Sequence, residues 1–154
     1  MIRHNRLYKI PLYKKLIIVD FMGTLVESDS LIPNQVAKTR IGVEESLNQY
    51  KLLNKKIAIA SDASEDEIKA HLNGLGKLVD RIYSSSNVWF HSGKKQDIKN
   101  LYRICDDFNI DFKDALMIGD SAPDMDSANH YGLDYILVPN AYVNPDFDFR
   151  SLRE

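Results

Sequence analysis

The residues of this chain that can do chemistry stand where apolar runs stop. Asp20 follows Leu16-Ile17-Ile18-Val19 and precedes Gly23-Thr24, which sets a carboxylate in front of a tight turn whose amides and hydroxyl can approach a phosphate. Asp120 and Asp124 follow the run Ala115-Leu116-Met117-Ile118, with Gly119 relieving crowding ahead of the first of them. Three carboxylates meeting at one edge repel one another unless a cation joins them, and magnesium is the natural candidate. Ser61, at the end of Ile57-Ala58-Ile59-Ala60, can donate a hydrogen bond to a phosphoryl oxygen. Lys94 or Lys95 can supply the positive charge that a phosphoryl-transfer transition state requires. The combined chemistry is attack of a carboxylate on phosphorus, with a metal bridging carboxylate and phosphate and a covalent aspartyl phosphate between two steps.

These groups are far apart in sequence, so the elements between them must bring them together. The three runs named above, together with Tyr135-Ile136-Leu137-Val138, are continuously apolar, as expected of parallel strands covered on both faces. Ile82-Tyr83 is a shorter candidate. Apolar stripes at helical spacing predict helices over Val43 to Leu53, Ser64 to Leu72, Gln96 to Phe108 and Pro123 to Tyr131. Ser64-Glu65-Asp66-Glu67 has the form of a capping box, and Gly132 is placed to end the last helix. Alternating strands and helices predict an α/β sheet, and ligands of such sheets bind beyond the carboxyl ends of the strands. Asp20, Ser61 and Gly119-Asp120 are the polar groups at those ends.

A hydrophobic content of 44% with seven glycines and five prolines in 154 residues is that of a globular protein, and one domain spanning residues 1–154 is expected, with its motif-bearing core at about 14–139. The lone Cys105 falls in the helical stripe Leu101, Ile104, Cys105, Phe108, so it reads as a core thiol, and a disulfide framework is excluded. No apolar run is long enough to span a bilayer and the first residues lack a signal-peptide core, so a soluble cytoplasmic protein is expected. A net charge of -2 provides no general attraction to nucleic acid, although Arg3, Arg6, Lys9, Lys14 and Lys15 crowd the first segment. Those cations read as a solvated arm, or as a docking strip for an anionic partner if they share a face beside the site, and nucleic acid is not excluded. The histidines form no metal-binding spacing, so zinc is not expected.

In this order, the segments IIVDFMGTLV, IAIAS, the Lys94-Lys95 region and MIGDSAPDMDSA resemble the four motifs of the haloacid dehalogenase-like superfamily. The resemblance covers Leu16 to Val138; the last motif is its most specific part, and the isolated serine and lysine its weakest. It implies a Rossmann-like three-layer sandwich with a mainly parallel sheet. It also implies Asp20 as nucleophile and magnesium ligand, Met22 lending its backbone carbonyl to the metal, and Asp120 with Asp124 completing the site. Gly23, Thr24, Ser61 and Asp62 are then the phosphate-binding positions. For the lysine both Lys94 and Lys95 are retained, Lys94 ahead because it directly follows Gly93.

One departure from the family pattern bears on mechanism. Most phosphatases of the superfamily carry a second aspartate two positions after the nucleophile as general acid and base, and here that position is Met22. A thioether carries no proton, and positioned acid-base catalysis is typically worth about 100- to 10,000-fold. The resemblance therefore implies a slow magnesium-dependent phosphohydrolase or phosphotransferase acting on a phosphate monoester, or a weakened relative with a binding or regulatory role. The segments between motifs are too short for a large cap. An open site suits a phosphorylated macromolecule, or a phosphorylated small molecule enclosed by a second copy or a partner. Trp89, Phe90 and His91 could stack on a base or sugar, although core packing is the simpler expectation, and Asp126 reads as solvated.

Overall fold

The computed structural model describes residues 5–27, 38–91 and 97–153. Its centre is a five-stranded parallel sheet formed by β1 (Leu16–Val19), β2 (Lys56–Ala60), β3 (Arg81–Tyr83), β6 (Ala115–Gly119) and β7 (Asp134–Leu137). The spatial order is β3-β2-β1-β6-β7, so the chain builds outward from β1 in one direction, then returns to build in the other. The point where that order reverses lies between β1 and β6, where open α/β sheets bind ligands. Val19 pairs with Ile118 across that junction, which puts the next polar residues, Asp20 and Asp120, on neighbouring strand ends.

Helices cover both faces, giving the Rossmann-like three-layer sandwich without a large cap. One face carries Ile17, Val19, Ile57, Ile59, Leu116, Ile118 and Ile136. It packs on α1 (Val43–Leu52), α2 (Glu65–Leu72) and the C-terminal 3-10 turn with Phe149 and Leu152. The other face is lined by Leu16, Ile18, Ala58, Ala60, Ala115 and Met117 under α3 (Leu101–Phe108) and α4 (Ala122–Tyr131). Because side chains alternate along a strand, a run with no polar residue is the pattern that serves both layers.

The helix ends follow local chemistry. Ser64 Oγ accepts from the Glu67 amide at 3.2 Å, so the capping serine acts as its spacing predicts. Gly132 ends α4 in the left-handed conformation with φ 71°. The helix predicted over Gln96 to Phe108 is shorter than its stripe suggests. It begins at Leu101, and Asp97–Lys99 is a strand, β5, paired antiparallel with β4 (Trp89–His91). The cause is Asn100, whose side chain accepts from the Arg103 amide at 3.0 Å and caps the helix there, leaving the three preceding residues extended. Trp89 is half-buried and packs against the α3-α4 layer, which agrees with core packing at that position. Cys105 is buried in the same layer.

Among the described residues, the cations of the first segment are not gathered on one exposed strip. Lys14 is buried, with Nζ donating to the Lys113 carbonyl at 2.6 Å and to Asp134 at 2.7 Å, while Lys9 Nζ donates to the Ser151 carbonyl. Among the described residues, no helix is long and apolar enough to cross a membrane.

Candidate active site

Asp20 sits at the carboxyl end of β1, its amide donating to the Ile118 carbonyl of β6 at 3.0 Å. The chain then turns sharply: the Thr24, Leu25 and Val26 amides all converge on the Phe21 carbonyl, and Gly23 takes a left-handed φ of 78° that side-chain-bearing residues avoid. The turn leads into a short antiparallel ladder in which Glu27 and Arg40 meet Lys38 and Leu25. Phe21's own amide donates to Asp20 Oδ1 at 2.7 Å and fixes the rotation of the carboxylate.

Asp120 leaves β6 on the adjacent strand end, and Asp124 comes from the first turn of α4. Carboxylate oxygens of Asp20, Asp120 and Asp124 lie within 4.8 Å of one another. Asp120 is held from two sides, by Thr24 Oγ1 on Oδ1 at 2.9 Å and by Asn140 Nδ2 on Oδ2 at 2.6 Å. Asp124 receives Ser121 Oγ at 3.0 Å and lies so close to Gly119 that a Cβ there would stand 2.2 Å from its oxygen. Glycine before Asp120 is thus a steric requirement of the cluster.

Among the described residues, the cation inside this cluster is Lys99, a residue that sequence reasoning missed. Its side chain is 3% exposed, with Nζ at 2.6 Å from Asp124 Oδ1, 3.3 Å from Asp20 Oδ1 and 2.7 Å from the Ala60 carbonyl. It therefore joins the ends of β1 and β2 to α4, and its own amide is anchored by Ser127 Oγ at 2.8 Å. The available signal was Asn100: a helix cap at that position makes Lys99 the last extended residue before a helix. Lys94 and Lys95, the sequence candidates for this role, lie outside the described residues. Asn140 was also missed, although it follows β7 by the same strand-end logic that selected Asp20 and Ser61.

Burial pushes the Asp20 carboxyl up to about 8; Lys99 opposes this and the neighbouring Asp124 reinforces it. Burial works against the Lys99 ammonium, but Asp20 and Asp124 together outweigh it and raise its pKa. Among the described residues, three carboxylates face one ammonium, a surplus of two negative charges when all are ionised. An ionised carboxylate has about four lone-pair positions, so the internal hydrogen bonds leave each aspartate able to bind a metal. Among the described residues the donor set is oxygen alone, which suits a hard cation such as magnesium.

The other candidate positions are distributed around this core. Ser61 is buried at the end of β2; its Oγ accepts from the Ala63 amide at 3.2 Å, which leaves the hydroxyl hydrogen to donate. Asp62 and Asp126 are exposed. Gly23 and Thr24 are buried in the turn, with Thr24 directed at Asp120. Met22 is half-buried and packs against the apolar layer beneath α1.

The arrangement is an open α/β sheet with a cluster of carboxylates at its reversal point, and comparison with known proteins gives its family. A family profile described as haloacid dehalogenase-like hydrolase matches residues 34–138, and the chain belongs to that family. No curated protein matches the sequence. Among solved structures, CbbY from Rhodobacter sphaeroides, in complex with xylulose-1,5-bisphosphate, is similar with a TM-score of 0.67 and 15% identity, over 84% of this chain and 88% of that one. A protein described as a predicted phosphoglycolate phosphatase from Haemophilus somnus gives 0.65 and 15% identity over 88% and 93% of the two chains. The N-terminal part of BF1531 from Bacteroides fragilis, with a phosphatase domain complexed with Mg, gives 0.64 and 16% identity over 90% of this chain and 39% of that one. Identities this low carry the fold.

Proposed function

We propose that this chain is a magnesium-dependent phosphohydrolase or phosphotransferase acting on a phosphate monoester, with Asp20 as nucleophile. The observation that carries this reading is the surplus of carboxylate over ammonium around Asp20 at the reversal point of the sheet. An Asp20 oxygen attacks phosphorus and the bond from phosphorus to the ester oxygen breaks, so the leaving group departs with that bonding pair and Asp20 carries an acyl phosphate. Water then attacks phosphorus, returning the free carboxylate and inorganic phosphate; an acceptor alcohol in place of water gives phosphotransfer. Magnesium, when bound by Asp20, Asp120 and Asp124 with the Met22 carbonyl, supplies charge neutralisation for the phosphoryl group. Lys99 would stabilise negative charge beside Asp20, the Ser61 hydroxyl would donate to the phosphoryl group, and Gly23, Thr24 and Asp62 are the further phosphate-binding positions of this reading.

Met22 brings no proton donor for the leaving group, so the reading favours esters whose leaving groups need no protonation. The same residue supports a second reading, a weakened enzyme that binds a phosphorylated ligand and regulates it. Without a large cap, the site suits a phosphorylated macromolecule, or a phosphorylated small molecule enclosed by a second copy or partner. The similarity to a bisphosphate-bound and a magnesium-bound phosphatase-type structure supports the class of ligand.

The deciding experiment is phosphate release from an activated aryl phosphate and a panel of sugar and nucleotide phosphates, with magnesium or chelator. Asp20→Asn is expected to lower release by about 1,000-fold or more. Release that survives in Asp20→Asn, or that is indifferent to magnesium, overturns the mechanism. No release from folded wild-type protein favours the binding role.

A further inference from the structure

Arg40 is 2% exposed and lies at the base of the ladder that follows the Asp20 turn. A guanidinium buried this completely needs hydrogen-bond partners, and the carbonyls of Gly23 and Asn144 that it serves lie on two separate segments. Its Nη1 donates to the Gly23 carbonyl at 2.8 Å, and its Nη2 donates to the Asn144 carbonyl at 3.0 Å. The Phe147 ring lies 5.5 Å from the guanidinium carbon and helps enclose it.

Those two segments are the ones that hold Asp120. The Gly23 turn carries Thr24, which donates to Asp120 Oδ1. Asn144 closes a turn on Asn140, its amide donating to the Asn140 carbonyl at 2.9 Å, and Asn140 donates to Asp120 Oδ2. The Asn140 side-chain oxygen is occupied by the Tyr142 amide at 2.8 Å, so the opposite end of the amide must face the carboxylate. One planar fork thus braces both arms of the clamp on Asp120, one arm to each oxygen.

We propose that Arg40 is a positioning residue for the metal centre, acting through Thr24 and Asn140 on the orientation of Asp120. This inference rests on the magnesium reading of the site. A lysine keeps the charge of Arg40 but offers one donor point, which cannot brace two carbonyls from a single plane. Loosening the clamp lets Asp120 rotate, which weakens metal binding even in a folded protein.

The test is calorimetric magnesium titration of the full chain as wild type, Arg40→Lys, Asn140→Ala and the double variant. Arg40→Lys is expected to weaken magnesium binding about tenfold, as loss of a group that orients a metal ligand commonly does. The double variant is expected to bind worse than Asn140→Ala, through the Thr24 arm, but by less than the product of the two single losses, because both changes loosen the same carboxylate. A folded Arg40→Lys protein with wild-type affinity, or losses that multiply in the double variant, overturns the proposal. A wild-type protein that binds no magnesium overturns the site reading and this inference with it. Should Arg40→Lys not fold, nitrogen-15 spectra of the wild-type arginine side chains decide: magnesium must shift the Arg40 guanidinium signals or slow their exchange, and unchanged signals overturn the proposal.

Discussion

At the amino-terminal edge of the sheet, Lys14 and Lys55 are as buried as Lys99 is at the carboxyl-terminal edge, yet their surroundings differ in kind. Lys55 Nζ donates to the Leu12 and Lys14 carbonyls, and Lys14 shares its charge between the Lys113 carbonyl and one carboxylate, that of Asp134. Those partners close a structural joint with no negative charge left over. Lys99 instead sits between two carboxylates with a third beside them. The pKa directions follow: burial lowers that of Lys55, whereas Asp20 and Asp124 raise that of Lys99 although burial opposes it. A buried lysine alone is therefore no mark of a functional site. An excess of carboxylate around one is.

Removing each ammonium tests this contrast most severely. Lys99→Met is expected to lower phosphate release by about 1,000-fold and to cost about 3–5 kcal/mol of stability, because it strands buried carboxylates. Lys14→Met leaves Asp134 able to reach water, so about 1–3 kcal/mol should be lost with release intact. Urea unfolding and phosphate release read both, and equal effects of the two variants on release would erase the distinction between the edges.

The next largest effect concerns the missing proton carrier. Met22→Asp is expected to raise turnover of unactivated esters about 100-fold, the low end of what a positioned acid contributes. No gain in a folded, metal-binding variant would remove Met22 as the explanation for a slow site. A smaller change is expected from Gly119→Ala, whose new methyl collides with Asp124. About tenfold weaker magnesium binding with the fold retained is the expected calorimetric result, and unchanged affinity would separate Asp124 from the metal centre.

The smallest effect is a difference in slope. Because the folded Lys55 pKa lies below its unfolded value, stability attributable to it rises with pH from the folded value up to the unfolded one, near 10.5. Lys99 is shifted the other way, so its contribution is complete below 10.5 and is lost as pH climbs through the folded value. Urea midpoints across the alkaline range should thus change slope in opposite directions for Lys55→Met and Lys99→Met; the same sign in both would contradict the contrast between edges.

The strands of the parallel sheet were legible because fully apolar runs such as Leu16 to Val19 have few other uses in a chain of this composition, and their polar ends singled out Asp20 and Asp120, which the structure sets on neighbouring strands. Lys99 was not legible in the same way. The helical stripe of α3 extends backward past its real start, and only the side-chain cap at Asn100 reveals that Asp97–Lys99 is extended. Arg40 ties Gly23, 17 residues away, to Asn144, 104 residues away, and Asn140 reaches Asp120 across 20 residues; single-sequence spacing carries no trace of such contacts.

The pairing of Val19 with Ile118 has a kinetic consequence. Asp20 and Asp120 become neighbours only when a loop of about a hundred residues has closed, one of the more slowly formed kinds of contact in a folding chain. The site is thus assembled by the step that joins the two halves of the sheet. A nascent or half-folded chain holds Asp20 without Asp120, so the acidic cluster exists only once both halves of the sheet are joined.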